Sequence, residues 1–138
     1  MQPSSDDLDL ANAFFLVHRE VDVISGNLAR KFSLTSQQTQ LICTLSHRPS
    51  LGEMAALLGC DKTNMTGMVD RLERRGLLTR EADPRDRRVS RIVLTKEGEA
   101  LRTDLSAEFT KAVAERCAAL TRDDRAHLAR LIQATLIP

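Results

Sequence analysis

Residues 50 to 72, SLGEMAALLGCDKTNMTGMVDRL, encode two short helices separated by one glycine, and this constrains the fold more than any other stretch. Ser50 and Glu53 form an S-x-x-E capping box that starts the first helix. Gly59 supplies the left-handed residue that ends it, and Asp61 offers a carboxylate to cap the next helix two residues later. The turn is therefore tight. Ala55 is small enough for the two helices to cross closely, and Met54, Leu58, Met65, Met68, Val69 and Leu72 fall on faces that share one core. Outward on the second helix stand Lys62, Thr63, Asn64, Thr66, Gly67, Asp70 and Arg71. Such hydroxyls, an amide and cations suit the base edges and phosphates of a DNA major groove. An ordinary helical hairpin with a solvated face has the same spacing, so the residues downstream decide between the two readings.

Gly76 ends the second helix, Leu77-Leu78-Thr79-Arg80 reads as a short strand, and Arg88 to Leu94 (RVSRIVL) alternates as a second strand with Val89 and Val93 among its apolar positions. Between them Ala82-Asp83-Pro84-Arg85-Asp86-Arg87 has the proline and aspartates of a turn. The segment is a β-hairpin with an arginine-laden tip, placed directly after a helix suited to reading bases. That is a winged helix-turn-helix, and a cationic hairpin there can lie along DNA and place an arginine in a narrow minor groove.

Leu34-Thr35-x-x-Gln38 opening a helix, the capped pair above, DRLERRGLLTR (Asp70 to Arg80), DPRDRR (Asp83 to Arg88) and LTKEG (Leu94 to Gly98) together resemble the MarR family of bacterial transcription regulators over nearly the whole chain. The resemblance implies a homodimer made by intertwined terminal helices. It also implies that Arg88 enters the minor groove while Asp86 orients it through a charge-assisted hydrogen bond. Strand geometry offers a reason, since residues two apart point the same way and Arg87 then points elsewhere. Gly67 departs from the family, where many relatives carry a larger polar or basic residue. It either permits close backbone approach to DNA or leaves fewer base contacts there.

The overall charge of +1 hides a local excess. Residues 61 to 96 hold ten Lys/Arg against six Asp/Glu, whereas 1 to 60 hold four against six and 97 to 138 hold six against seven. Phosphate binding needs only such a local footprint. Signs of catalysis are lacking: His18, His47 and His127 have no H-x-x-x-H or H-E-x-x-H spacing, no glycine-rich phosphate loop occurs, and Cys43, Cys60 and Cys117 form no C-x-x-C motif. The expectation is no enzyme, no metal and no cofactor. The odd cysteine count without a signal peptide suggests a reducing cytosol, and no apolar run reaches the roughly 20 residues of a membrane span. Cys60, just before the second helix, is a candidate redox thiol weighed against a simple packing role; Cys43 and Cys117 read as packing residues.

The flanks carry apolar seams. From Leu8 to Lys31, Leu10, Phe14, Val17, Val21, Ile24 and Leu28 recur at spacings of four and three. Thr95 can cap a helix from Lys96 to Leu120 with Leu101, Leu105, Phe109, Ala112 and Val113 as its stripe, and Thr121 can cap a last one bearing Leu128, Leu131, Ile132 and Leu136. The fold expected is mainly α with a small β-hairpin wing, a single domain over residues 1–138. A core at 35–94 would be flanked by dimerisation helices at 8–31 and 96–138, and the two-fold dimer would present two reading helices to a pseudo-palindromic operator. The expected function is a cytoplasmic, sequence-specific DNA-binding regulator, a repressor released by a small ligand. The alternative is a winged-helix protein-interaction module that does not read DNA. DNA contacts are expected from Lys62, Thr63, Asn64, Thr66, Gly67, Arg71, Arg85, Asp86, Arg87 and Arg88. By resemblance, a small aromatic or anionic effector would sit between the dimerisation helices and the core, with His18, His47 and Arg48 as polar candidates beside it.

Overall fold

A computed structural model describes residues 1–136. Helix α1 spans Ser5–Phe32, α2 Ser36–Thr44, α3 Leu51–Leu58 and α4 Lys62–Arg74. Strands β1 (Leu78–Ala82) and β2 (Ser90–Leu94) follow, then α5 (Lys96–Arg116) and α6 (Arg122–Leu136). The fold is mainly helical with one antiparallel hairpin, as the sequence implies.

Side chains at the caps account for most boundaries. Ser4 and Asp7, Thr35 and Gln38, and Ser50 and Glu53 each form a reciprocal capping box at the start of α1, α2 and α3. The Ser4 box starts α1 three residues before the expected Leu8. Gly59 ends α3 in the left-handed region at φ 65°, and the Asp61 carboxylate then accepts from the Asn64 amide at 2.7 Å to start α4. Thr95 caps α5 and Thr121 caps α6, each accepting the amide of the third residue along. Helix α5 stops at Arg116 rather than Leu120, because residues 117–120 close as turns, with the Leu120 amide donating to the Cys117 carbonyl at 3.0 Å.

The hairpin differs in detail from the expected one. Ala82 is a strand residue paired with Ser90, so the strands run from Leu78 opposite Leu94 to that last rung. Residues 83–89 form the connection, which removes Arg88 and Val89 from the strand. Of the β2 residues it is Ile92 that is fully buried, while Val93 and the preceding Val89 are only half-buried. Period-two alternation puts Ile92 on the face opposite those valines. A third strand-like contact completes the wing's base: the Ile92 amide donates to the Pro49 carbonyl at 2.8 Å, and Ser50 bridges to Arg91.

One core joins all of this. Leu41, Ile42, Met54, Met65, Leu72, Leu78, Ile92 and Leu105 are fully buried, drawn from α2, α3, α4, both strands and α5. Each contributes on the order of 1.5–3 kcal/mol by leaving water. Gly98 shows why the LTKEG segment needs its glycine: a Cβ there would overlap the Leu77 carbonyl oxygen, so the first turn of α5 rests directly on the chain entering β1.

The ends of the chain are covered differently. On α1, Ile24 and Leu28 are buried, but Leu8, Leu10, Phe14, Phe15, Leu16 and Val17 are 47–74% exposed. On α6 no residue is buried, and Leu128, Leu131, Ile132 and Leu136 face outward. Half of the seam on α1 and the seam on α6 thus remain open to solvent within this chain, although Leu128 and Ile132 also line a groove with Phe109 and Val113 of α5.

Candidate nucleic-acid interface

Helix α4 buries Met65, Met68, Val69 and Leu72, which turns the opposite face to solvent. Lys62, Thr63, Asn64 and Arg71 are exposed on it, and Thr66 and Gly67 are half-buried. The Asn64 side-chain amide donates back to Asp61 at 3.3 Å, and the Thr66 hydroxyl donates to the Lys62 carbonyl at 2.9 Å. Around Gly67 a Cβ would meet nothing within 4 Å. The glycine therefore makes a shallow notch in an otherwise lined face.

Asp70 does not stand free on that face as expected. Arg80 of β1 is ion-paired to it and to Glu73 (3.3 Å), and also donates to the Thr66 carbonyl at 3.4 Å. The Arg80 amide adds a bond to Glu73 at 3.2 Å. One arginine thereby neutralises acidic charge that would repel a polyanion and ties the first strand of the wing to α4.

Within the wing, Arg85, Arg87 and Arg88 are exposed, the Arg88 side chain at 91%. Asp86 accepts the Arg88 amide at 3.1 Å, its Nε at 3.1 Å and its Nη2 at 3.3 Å. The pair touches as expected, for a different reason. These residues lie in the turn, where the Val89 amide closes on the Asp86 carbonyl at 3.0 Å, so the contact is an aspartate turn wrapped on the next arginine. The Arg88 side chain, and then its amide, hold the Asp86 carboxyl below its usual value. Asp83 is lowered as well, first by the Arg85 amide and then by the Arg91 guanidinium.

Arg91, which sequence reasoning did not single out, joins three elements. Its Nη2 and Nε lie 2.7 and 2.8 Å from the Asp83 carboxylate, and its Nη1 lies 3.2 Å from Glu53 on α3. Its only mark in the sequence is a position on the strand face opposite Ile92; nothing there pairs it with Glu53, 38 residues earlier.

Behind this surface lies a cleft of about 420 Å³, walled by Ser25 of α1, Gln40 and Cys43 of α2, Leu57 of α3, and Ser106 and Phe109 of α5. No charged side chain lines it. His18, His47 and Arg48 are not among its walls: His18 lies on the exposed side of α1, 3.3 Å from Asp22, and Arg48 is ion-paired with Glu81 in the loop it shares with His47. Sequence reasoning missed the wall residues because hydroxyls and a thiol on helical faces carry no distinguishing spacing. Burial pushes the Cys43 thiol up, partly offset by the nearby Arg102 charge, so it stays protonated at neutral pH. Cys60 packs half-buried against the core between α3 and α4. Among the described residues no cluster of three or more His, Cys, Asp or Glu could hold a metal ion, and no helix is long and apolar enough to cross a membrane.

The sequence model of the MarR family matches residues 34–90, which run from just before α2 to the first residue of β2. A MarR family transcriptional regulator from Rhodococcus sp. RHA1 superposes over all of this chain and 98% of its own, with a TM-score of 0.80 and 26% identity. The winged helix-turn-helix of this chain matches the MarR family. CouR from Rhodococcus jostii RHA1, crystallised with p-coumaroyl-CoA, superposes on this chain with a TM-score of 0.76 at 26% identity, covering 100% of it and 97% of CouR. Among curated relatives, the homoprotocatechuate degradative operon repressor of Escherichia coli is 29% identical over 108 residues, 77% of this chain and 73% of that one. The transcriptional activatory protein BadR of Rhodopseudomonas palustris is 33% identical over 101 residues, 66% of this chain and 57% of BadR.

Proposed function

We propose that this chain is a homodimeric transcription regulator of the MarR family that binds a pseudo-palindromic operator as a repressor and is released from it by a small ligand. The observation that carries the DNA reading is the wing: three exposed arginines on a turn whose Asp86 is bonded to Arg88 rather than left as a free acid. Bonding of Arg80 to Asp70 and Glu73 sets that hairpin beside α4. In this reading Lys62, Thr63, Asn64, Thr66, Gly67 and Arg71 face the major groove, Arg88 held by Asp86 enters the minor groove, and Arg85 and Arg87 meet phosphates. The solvent-open seams of α1 and α6 support a two-fold dimer, since monomers rarely expose large contiguous apolar patches. Residues 1–138 then act as one unit, with 8–31 and 96–138 forming the dimer and 35–94 reading DNA.

The ligand would occupy the cleft between α1, α2, α3 and α5, whose apolar and hydroxyl-bearing wall suits an aromatic ring with polar substituents. Repression follows the homoprotocatechuate operon repressor rather than BadR. Selection of bound fragments from genomic DNA, followed by sedimentation of the chain with the recovered site, tests the proposal. Enrichment of one inverted repeat bound by two chains is expected. Recovery of no preferred sequence, or tight binding of a monomer to a half-site, overturns it; binding indifferent to salt would favour a protein-interaction module.

A further inference from the structure

Arg91 has no free reach toward DNA. Its side chain is 27% exposed, and its guanidinium is occupied by Asp83 on one side and Glu53 on the other. Asp83 opens the wing's connection, and its other oxygen accepts the Arg85 amide at 2.7 Å; its own amide donates across the turn to the Val89 carbonyl at 2.9 Å. The Asp83 side chain is only 14% exposed, far less than the arginines around it. Glu53 belongs to the first turn of α3 and also closes the capping box with Ser50, so its carboxylate is fixed to the helix end. Just before Ser50, Pro49 accepts the Ile92 amide. The base of the wing is thus fastened to α3, and Arg80 fastens its other strand to α4.

We infer that Arg91 is the positioning residue of the wing, fixing the Asp83–Arg88 turn to α3 so that the wing and α4 meet DNA as one rigid body. The inference rests on the DNA-binding reading for its functional half only. Held at Asp83, the turn presents Arg88 at a set distance from the α4 face. Released, the hairpin keeps its strands and its arginines, but Arg88 must be ordered at the moment of binding and its contribution falls. Arg91 acts through Arg88 and touches no nucleotide itself.

Two measurements on the full-length chain test this. Amide hydrogen exchange without DNA should show the segment 83–89 exchanging about tenfold faster in Arg91→Gln, with the amides of α4 and α5 unchanged and the melting curve still cooperative. Unchanged protection of that segment overturns the anchorage whether or not the chain binds DNA, and global loss of protection directs the same measurement to Asp83→Asn, which breaks the link from the other side. The second measurement is a mutant cycle on the operator. Arg88→Ala should weaken binding about tenfold in the wild-type background but less than about threefold in Arg91→Gln, whereas Thr66→Ala should cost the same in both. Arg91→Lys, which keeps a charge for Asp83, should restore part of the Arg88 effect. Equal losses from Arg88→Ala in both backgrounds overturn the positioning role. A wild-type chain with no sequence preference sinks the regulator reading and leaves the anchorage to be judged by exchange.

Discussion

Asp86 accepts three hydrogen bonds from Arg88, one from its amide and two from its guanidinium, so a single carboxylate fixes both the backbone and the direction of an arginine otherwise open to water. Arg88→Ala should lower operator affinity by about 1–3 kcal/mol with the fold intact. Asp86→Ala should also weaken binding, although removing an acid near DNA would strengthen it if net charge alone mattered. The double variant should cost little more than Arg88→Ala, as expected for two residues acting as one unit. Fluorescence anisotropy with labelled operator reads all three, and tighter binding by Asp86→Ala would refute the orienting role.

Gly98→Ala tests the seat of α5. Because a Cβ would overlap the Leu77 carbonyl, a backbone atom that cannot rotate away, α5 must shift and the core beneath Leu105 with it. A loss of about 1–3 kcal/mol in urea denaturation is expected, despite alanine's better helix propensity. Stability equal to wild type would show that the contact is loose.

Gly67→Ala should do the opposite. The position is open and lies inside α4, so alanine should stabilise the chain by up to about 1 kcal/mol. If the notch admits a phosphate or base edge to the helix backbone, the same variant should bind operator more weakly. A variant that is more stable and binds equally well would reduce Gly67 to a place of few contacts.

The wing carboxylates set a pH window. Asp83 and Asp86 are lowered in the folded chain, so the stability they contribute is fully present above the usual carboxylate value near 4 and is lost as pH falls through their depressed values. From pH 8 down to 5 these two groups should leave the wing unchanged, and its order should decline only at more acid pH. Carboxyl resonances followed by NMR give the titrations directly; a midpoint above the usual value for either group would contradict the geometry.

The helix-turn-helix was legible because its determinants are local: Ser50 and Glu53, Gly59, and Asp61 all act within three residues of where they stand. The Asp86 and Arg88 contact was also legible, two residues apart, yet strand periodicity was the wrong reason for it, since the turn takes over where Ser90 ends the ladder. Arg80 and Arg91 were not. Their partners Asp70 and Glu53 become neighbours only after the hairpin folds back over α3 and α4, and ion pairs of that separation leave no periodic trace. The cleft escaped for the same reason, being built from single residues on four helices. Burial along α1 was half legible: the spacing found the seam, but only Ile24 and Leu28 of its six positions are buried within this chain.

Glu53 and Leu57 sit one turn apart on α3, the first bonded to Arg91 and the second walling the cleft. If operator and ligand both bear on that helix, equilibrium linkage makes their influence mutual: the factor by which a ligand weakens DNA binding is the factor by which DNA weakens ligand binding. A chain seated on its operator would then sense its ligand at a higher threshold than one free in solution. The dose at which a promoter responds would depend on how many decoy sites compete for the chain.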